Sequence, residues 1–172
     1  ATGAHITAVE RDPTRIQRLT ANLQRWNLHA DIINADATAW TPPALFDAIL
    51  LDAPCSATGT IRRHPDVARL KRPREVQLIT QSQDKLLEAA AAMLRPGGRL
   101  IYAVCSLQPE EGAPRIAAAV AKTGLRHAPF RPEELSTLPE ALTADGFLRT
   151  HPGMWPDHGG MDGFFAARLI KN

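Results

Sequence analysis

The residues best suited to chemistry in this chain are its two cysteines, each placed just past an apolar run. Cys55 lies in Asp52-Ala53-Pro54-Cys55-Ser56-Ala57-Thr58-Gly59, directly after the run Phe46 to Leu51. Cys105 lies in Val104-Cys105-Ser106, after Leu100 to Val104, and Pro109-Glu110-Glu111 follows it. The thiolate is the nucleophile of cysteine chemistry, and a nearby cation or helix N-terminus raises its population. The arginines after Gly59 and a helix starting near Glu110 are the sources of such a field here. If the two runs are neighbouring strands, both thiols share one cleft with Asp52. Composition alone favours the blander reading, in which each cysteine is an inert core residue. Two cysteines are too few for a disulfide scaffold, and no Cys/His spacing fits a structural zinc site, so no metal is expected. A reducing, cytoplasmic address is expected with them.

The elements that would position these residues alternate strand and helix. Ala4 to Val9 is a short β-rich run ending at Glu10 and Asp12. Asp12 reads as an N-cap and Pro13 as a first helical residue. Ile16, Leu19, Leu23 and Trp26 recur at helical spacing, which gives Pro13 to Trp26 one apolar face. Asp31 to Asn34 is a second strand, closing at Asp36. Phe46 to Leu51 is a third, continuous and apolar, as suits a parallel strand buried on both faces. Asp52 to Pro73 is a long polar connection. Val76 to Leu94 reads as a helix that Arg95-Pro96-Gly97-Gly98 stops. Leu100 to Val104 is the fourth strand. Glu110 to Thr123 is another helix, opened by Pro109 and closed by Gly124. Leu125 to Pro156 is rich in Pro and short strands, and Phe164 to Ile170 is a final strand, expected as an antiparallel hairpin at the sheet edge.

This alternation predicts a doubly wound α/β sheet, in which ligands bind beyond the carboxyl ends of the strands. Those ends carry Glu10, Asp36, Asp52 to Cys55, and Cys105-Ser106. A single acid in such a place caps a helix or starts a turn about as often as it binds anything; four strand ends in a row weigh against that. No G-x-G-x-x-G or P-loop occurs, so either the fold is of another kind or its first strand, loop and helix are missing.

The remaining bounds are broad. At 172 residues and 18.7 kDa the chain has the size of one domain. Hydrophobic residues at 44% and charged residues at 22% exclude wholesale disorder. No apolar run approaches the roughly 18 residues that cross a bilayer, and the start is no signal peptide, so no membrane partner is expected. A net charge of +2 permits nucleic-acid binding without demanding it. Arg62, Arg63, Arg69, Lys71, Arg72 and Arg74 cluster against one acid, Asp66. They form either a solvated face or a contact for phosphates.

Asp52 to Asp66, including Ser56-Ala57-Thr58-Gly59 and Ile61-Arg62-Arg63-His64-Pro65-Asp66, resembles motif IV of the RNA (cytosine-5)-methyltransferases, the Nol1/Nop2/Sun family. Cys105-Ser106 with Pro109-Glu110-Glu111 resembles its motif VI. Within the family the chain is most similar to the bacterial Sun/Fmu/RsmB group, which modifies small-subunit (16S) ribosomal RNA. Asp162-Gly163-Phe164-Phe165 and Arg168-Leu169 resemble that group's last strand. The resemblance runs over nearly the whole chain. It implies an α/β, Rossmann-like class I S-adenosylmethionine-dependent methyltransferase sheet, mostly parallel with a C-terminal antiparallel hairpin, its first strand and Gly-rich loop missing. Residues 1–172 would then be one partial catalytic domain, opened at the centre of its sheet and weakened in cofactor binding.

The resemblance also implies roles. Cys105 would attack carbon 6 of cytosine, which makes carbon 5 enamine-like and able to take a methyl group from S-adenosylmethionine. Cys55 would assist release. Asp52 would hydrogen-bond the ring nitrogen while carrying or sharing a proton, beside the cofactor. Glu10 would accept ribose hydroxyls, and Asp36 would contact the adenine amino group. Arg62, Arg63 and His64 would lie against RNA, with His64 a packing or hydrogen-bonding residue rather than a base. Trp155 is the better candidate for stacking on a base, since one of Phe164 and Phe165 should be core. Val104 stands where the family often has Thr.

Three other readings compete. A methyltransferase acting on an exocyclic amine would need an aromatic residue after Pro54, where Cys55 stands. A non-catalytic RNA-binding scaffold would have no use for both cysteines. A dithiol redox protein would need a Cys-x-x-Cys pair or a reversible bridge, and fifty residues separate the two cysteines.

Overall fold

The computed structural model describes residues 3–67 and 73–172, with Pro73 described in its backbone alone. Arg69, Lys71 and Arg72 of the basic cluster lie outside the described residues. The chain divides into two compact units, Ala1–Pro43 and Ala44–Asn172.

In the first unit the apolar run forms β1 (Thr7–Glu10), followed by α1 (Pro13–Arg25) and β2 (Asp31–Asn34). The strands are parallel, with Thr7 opposite Asp31 and Glu10 opposite Asn34. Asp12 caps α1 as the sequence predicts: its carboxylate accepts the Thr14 N–H at 2.8 Å and the Arg15 N–H at 3.4 Å. The Thr14 N–H holds the Asp12 carboxyl below the usual range. Ile16, Leu19 and Leu23 are half-buried. Trp26 departs from the expected apolar face. It is the C-cap residue, past the last helical turn, and is 69% exposed beneath the Arg25 guanidinium.

The second unit holds β3 (Phe46–Asp52), α2 (Pro73–Met93), β4 (Leu94–Val104), α3 (Ala113–Thr123), β5 (Leu125–His127), β6 (Leu148–Thr150) and β7 (Phe164–Lys171). Its sheet runs β3-β4-β7-β5, with β6 also on β7. β3 and β4 are parallel, whereas β7 is antiparallel to β4, β5 and β6. Leu87, Ala90 and Ala91 of α2 and Ile116 and Ala119 of α3 pack with Leu100, Tyr102 and Val104 of β4 and with Ala167 and Leu169 of β7. Leu87, Leu100 and Leu169 are fully buried, each worth about 1.5–3 kcal/mol relative to exposure.

Four expectations need correction. The final strand, β7, is interior rather than at the edge: β4 lines one side and β5 and β6 line the other. Its burial on both faces, at Phe165, Ala166, Ala167 and Leu169, is the reason. β3 is not buried on both faces. It has β4 as its one described strand neighbour, and Leu50 is 73% exposed while Ile49 and Leu51 pack on the core. The stop signal after α2 lies inside the irregular start of β4. Phe46 pairs with Leu94 and Ala48 with Arg99, so the residues between them form the break in register, with Gly97 at φ 75°. The helix expected from Glu110 begins at Ala113. A tight turn over Pro109–Glu111 precedes it, and Gly112, at φ −104° and ψ −122°, separates the two.

Among the described residues no helix is long and apolar enough to cross a membrane, and no group of His, Cys, Asp and Glu has the geometry to hold a metal ion.

Candidate active site

The parallel register of β3 and β4 puts Asp52 opposite Ala103, so the chain leaves both strands at the same end of the sheet. The Ala53 N–H continues the ladder to the Ala103 carbonyl at 3.0 Å. Ala57, at φ 58°, then turns the chain into a short 3-10 turn over Thr58–Thr60. The Gly59 N–H donates to the Cys105 carbonyl at 3.0 Å, and the Gly163 N–H donates to the Gly59 carbonyl at 2.8 Å. A side chain on Gly59 would run into the Gly163 carbonyl and come within 2.9 Å of the Cys105 carbonyl. The missing Cβ therefore permits three segments to meet beside Cys105.

The result is a thiol pair. Cys55 Sγ and Cys105 Sγ lie 3.4 Å apart, both half-buried. Distance along the chain is thus no argument against cooperation between them. Cys105 is lowered from its ordinary 9.0 to about 7, first by the hydrogen bond from Cys55; burial and the charges of Asp52 and Glu111 oppose this. Cys55 is pushed up, first by that same hydrogen bond and then by burial, against the Ala57 N–H. The expected helix field is not the leading cause. The partner thiol is.

Beneath the pair lies a buried polar network. Glu111 Oε2 accepts the Ser56 N–H at 2.9 Å and Gln83 Nε2 at 2.8 Å, and Glu111 Oε1 accepts the Ser106 hydroxyl at 2.7 Å. Gln83 Nε2 also donates to the Pro54 carbonyl at 2.9 Å. Ser56 Oγ lies 3.0 Å from Ser106 Oγ and 3.1 Å from Thr58 Oγ1, and Thr58 Oγ1 accepts the Leu107 N–H at 2.9 Å. Sequence reasoning missed Gln83 and gave Glu111 no role. A signal existed for Gln83: it falls on the buried face of α2, between Thr80 and Leu87.

Asp52 is exposed at the end of β3, near enough to Cys105 to oppose its ionisation. In the first unit, Glu10 Oε1 accepts the N–H groups of Arg11 and Asp12 at 2.8 and 2.9 Å, while Arg15 stands 3.8 Å from Oε2. Asp36 Oδ1 accepts the Thr38 N–H and hydroxyl at 2.8 and 2.7 Å, and that hydroxyl holds its carboxyl below the usual range. Asp36 is thus a turn aspartate whatever else it binds.

Arg62 and Arg63 converge on Asp162. Arg63 Nε donates to Asp162 Oδ2 at 2.8 Å, a second Arg63 nitrogen bonds the same oxygen, and an Arg62 nitrogen lies 3.6 Å from Oδ1. Arg63 also lies within electrostatic range of Cys105. His64 is exposed, its N–H on the Thr60 carbonyl. Trp155 is 41% exposed, 5.8 Å from His158 ring to ring. Phe165 is the core residue of its pair, against Phe147 and Tyr102. A surface depression of about 480 Å³ lies among Glu88, Ala91, Ala92, Lys122, Thr123 and Lys171, and none of the expected site residues lines it.

The protein solved as PH0851 shares this fold with a TM-score of 0.84 and 29% identity, covering 98% of this chain and 37% of that one. A methyltransferase homologue from Pyrococcus horikoshii shares it with a TM-score of 0.75 and 26% identity, covering 98% and 54%. Fold and strand-end site together define an α/β domain of the methyltransferase class. Ribosomal RNA small subunit methyltransferase B of Pectobacterium carotovorum is 38% identical over 174 residues, covering 98% of this chain and 37% of that protein. Residues 1–170 match the family described as 16S rRNA methyltransferase RsmB/F, and the chain belongs to that family. It spans little more than a third of the length of that curated relative.

Proposed function

We propose that this domain methylates carbon 5 of a cytosine in small-subunit ribosomal RNA, in the cytoplasm, through a covalent bond between Cys105 and carbon 6 of the base. The observation that carries this reading is the thiol pair: two cysteines 3.4 Å apart, one of them lowered to about 7 by the other. The lowering of Cys105 raises its thiolate population at neutral pH, and the thiolate is the form that adds to carbon 6. Asp52, when it carries a proton, hydrogen-bonds the ring nitrogen on which charge collects. S-adenosylmethionine supplies the methyl group when bound.

Release follows from the same pair. Once Cys105 is bonded to carbon 6, it no longer holds the negative charge that keeps the proton on Cys55. The first cause of the raised Cys55 pKa is then gone, while burial and Glu111 remain. Cys55 then loses its proton more readily than before, and its thiolate can take the proton from carbon 5, so that the carbon 5–carbon 6 double bond re-forms and the Cys105–carbon 6 bond breaks, returning the Cys105 thiolate.

Glu10 and Asp36 fit the cofactor's nucleoside. Glu10 Oε2, with Arg15 3.8 Å away, takes no backbone donor and can accept a ribose hydroxyl, and Asp36 Oδ2, with the Arg11 guanidinium 3.5 Å away, can accept an amino group beside it. Arg62, Arg63 and His64 stand exposed on the turn after Cys55, where the basic charge suits an RNA backbone.

The test is a covalent trap in the full-length protein. Cys55→Ala with unmodified 16S ribosomal RNA and S-adenosylmethionine should give a slow protein–RNA band on a denaturing gel. Cys55→Ala/Cys105→Ala should give none. Absence of the band with cofactor bound would sink the reading and favour an amine-methylating or non-catalytic role.

A further inference from the structure

We propose that Glu111 is a positioning residue that holds the two thiol-bearing turns in register, so that Cys55 and Cys105 meet. This deepens the reading above and rests on it for its functional meaning, although the geometry stands apart from it.

Glu111 is fully buried, in the short turn between β4 and α3. Its carboxylate takes one donor from each side of the thiol pair. Ser56, which follows Cys55, gives its N–H to Oε2, and Ser106, which follows Cys105, gives its hydroxyl to Oε1. The third donor, Gln83, is itself fully buried and grips the Pro54 carbonyl on the other side of Cys55. The Glu111 carbonyl is held in turn by the Tyr102 hydroxyl at 2.8 Å. The residues after Cys55 and after Cys105 are thus tied to Glu111 directly, and the residue before Cys55 is tied to it through Gln83.

Stability alone gives no reason for such an arrangement. A buried carboxylate is costly, and well-packed apolar residues often replace buried charge without loss. Among the described residues no cation pairs with Glu111. Its charge also works against thiolate formation at both cysteines. A group that opposes ionisation of the nucleophile, yet ties both turns together, fits a geometric role rather than an activating one.

This gives the test opposite signs for two readouts. In the full-length protein, wild type, Glu111→Gln and Glu111→Leu are treated with hydrogen peroxide, and closure of the Cys55–Cys105 disulfide is followed by mass. The Cys105 thiolate attacks peroxide, giving a sulfenic acid and hydroxide. The Cys55 thiol then displaces the oxygen, which leaves as water, and the S–S bond forms. The pH midpoint of iodoacetamide alkylation of Cys105 is measured in parallel.

Misplacement of reacting groups by about 1 Å costs on the order of a hundredfold, so Glu111→Leu should close at least about tenfold more slowly than wild type. Its alkylation midpoint should rise toward 9.0, since the hydrogen bond from Cys55 that lowers Cys105 is lost when the sulfurs separate, a larger effect than removal of the Glu111 charge. Glu111→Gln keeps one carbonyl for Ser56 and Gln83 and should close at an intermediate rate. Closure at the wild-type rate in a folded Glu111→Leu protein overturns the proposal. So does slower closure with an alkylation midpoint at or below that of wild type, which would leave the thiols still paired. If Glu111→Leu does not fold, a wild-type rate in the isosteric Glu111→Gln overturns it instead. Neither readout involves RNA, so failure of the methylation reading would appear separately, in the covalent trap.

Discussion

Cys55 and Cys105 come from turns that follow two adjacent parallel strands, and their sulfurs stand 3.4 Å apart in a single hydrogen bond. That bond acts on the two thiols in opposite directions. It lowers Cys105 to about 7 and pushes Cys55 up. One pair of identical side chains is thereby split into a more acidic and a less acidic thiol.

The first prediction concerns pH. The Cys105 thiolate is favoured because Cys55 donates to it, so Cys55→Ala should move Cys105 upward from about 7 toward its ordinary 9.0. Reactivity that persists in wild type as pH falls toward 7 should vanish in the variant well above that pH. The midpoint of iodoacetamide alkylation against pH measures this. A midpoint that stays where it was would show that Cys55 is not the cause.

A second prediction concerns the close approach at Gly59. Gly59→Ala directs a methyl group at the Gly163 carbonyl, which is backbone and cannot swing away. Overpacking of this kind costs about 1–3 kcal/mol, and urea denaturation should register a loss of that order. The same variant should slow disulfide closure between the thiols, because the Gly59 N–H is bonded to the Cys105 carbonyl. Unchanged stability and unchanged closure would mean that the three segments can separate freely.

The third prediction concerns the arginines. Asp162 holds Arg63 through two nitrogens and stands near Arg62, so part of their charge is already answered within the chain. Asp162→Asn should therefore strengthen RNA binding, whereas Arg63→Ala should weaken it. Loss of one phosphate contact should lower the slope of log affinity against log salt by about 1. Binding titrations at several salt concentrations separate these outcomes. If neither variant changes the slope, this pair does not face RNA.

The chain's local patterns carried much of the architecture. Asp12 and Pro13 marked the start of α1 because capping and a fixed φ act within one turn. The short strands β2 and β3 were legible as apolar runs between polar breaks. The strand-end positions of Glu10, Asp36, Asp52, Cys55 and Cys105 followed from that alternation, and the resemblance of their flanking segments to family motifs singled out the cysteines. These are properties of a few neighbouring residues, so sequence order expresses them directly.

Pairing between distant segments is different in kind. The interior place of β7 depends on which strands flank it, and the half-exposed state of β3 depends on which strand does not. An apolar run reads the same in either position. Likewise the hydrogen bonds that join Glu111 and Gln83 to the Cys55 loop exist only once the β4 turn and α2 are brought against it. The 3.4 Å between the two sulfurs belongs to this second class. It exists because β3 and β4 are parallel and in register across fifty residues of chain, an arrangement set by the packing of the whole sheet and its helices rather than by either motif.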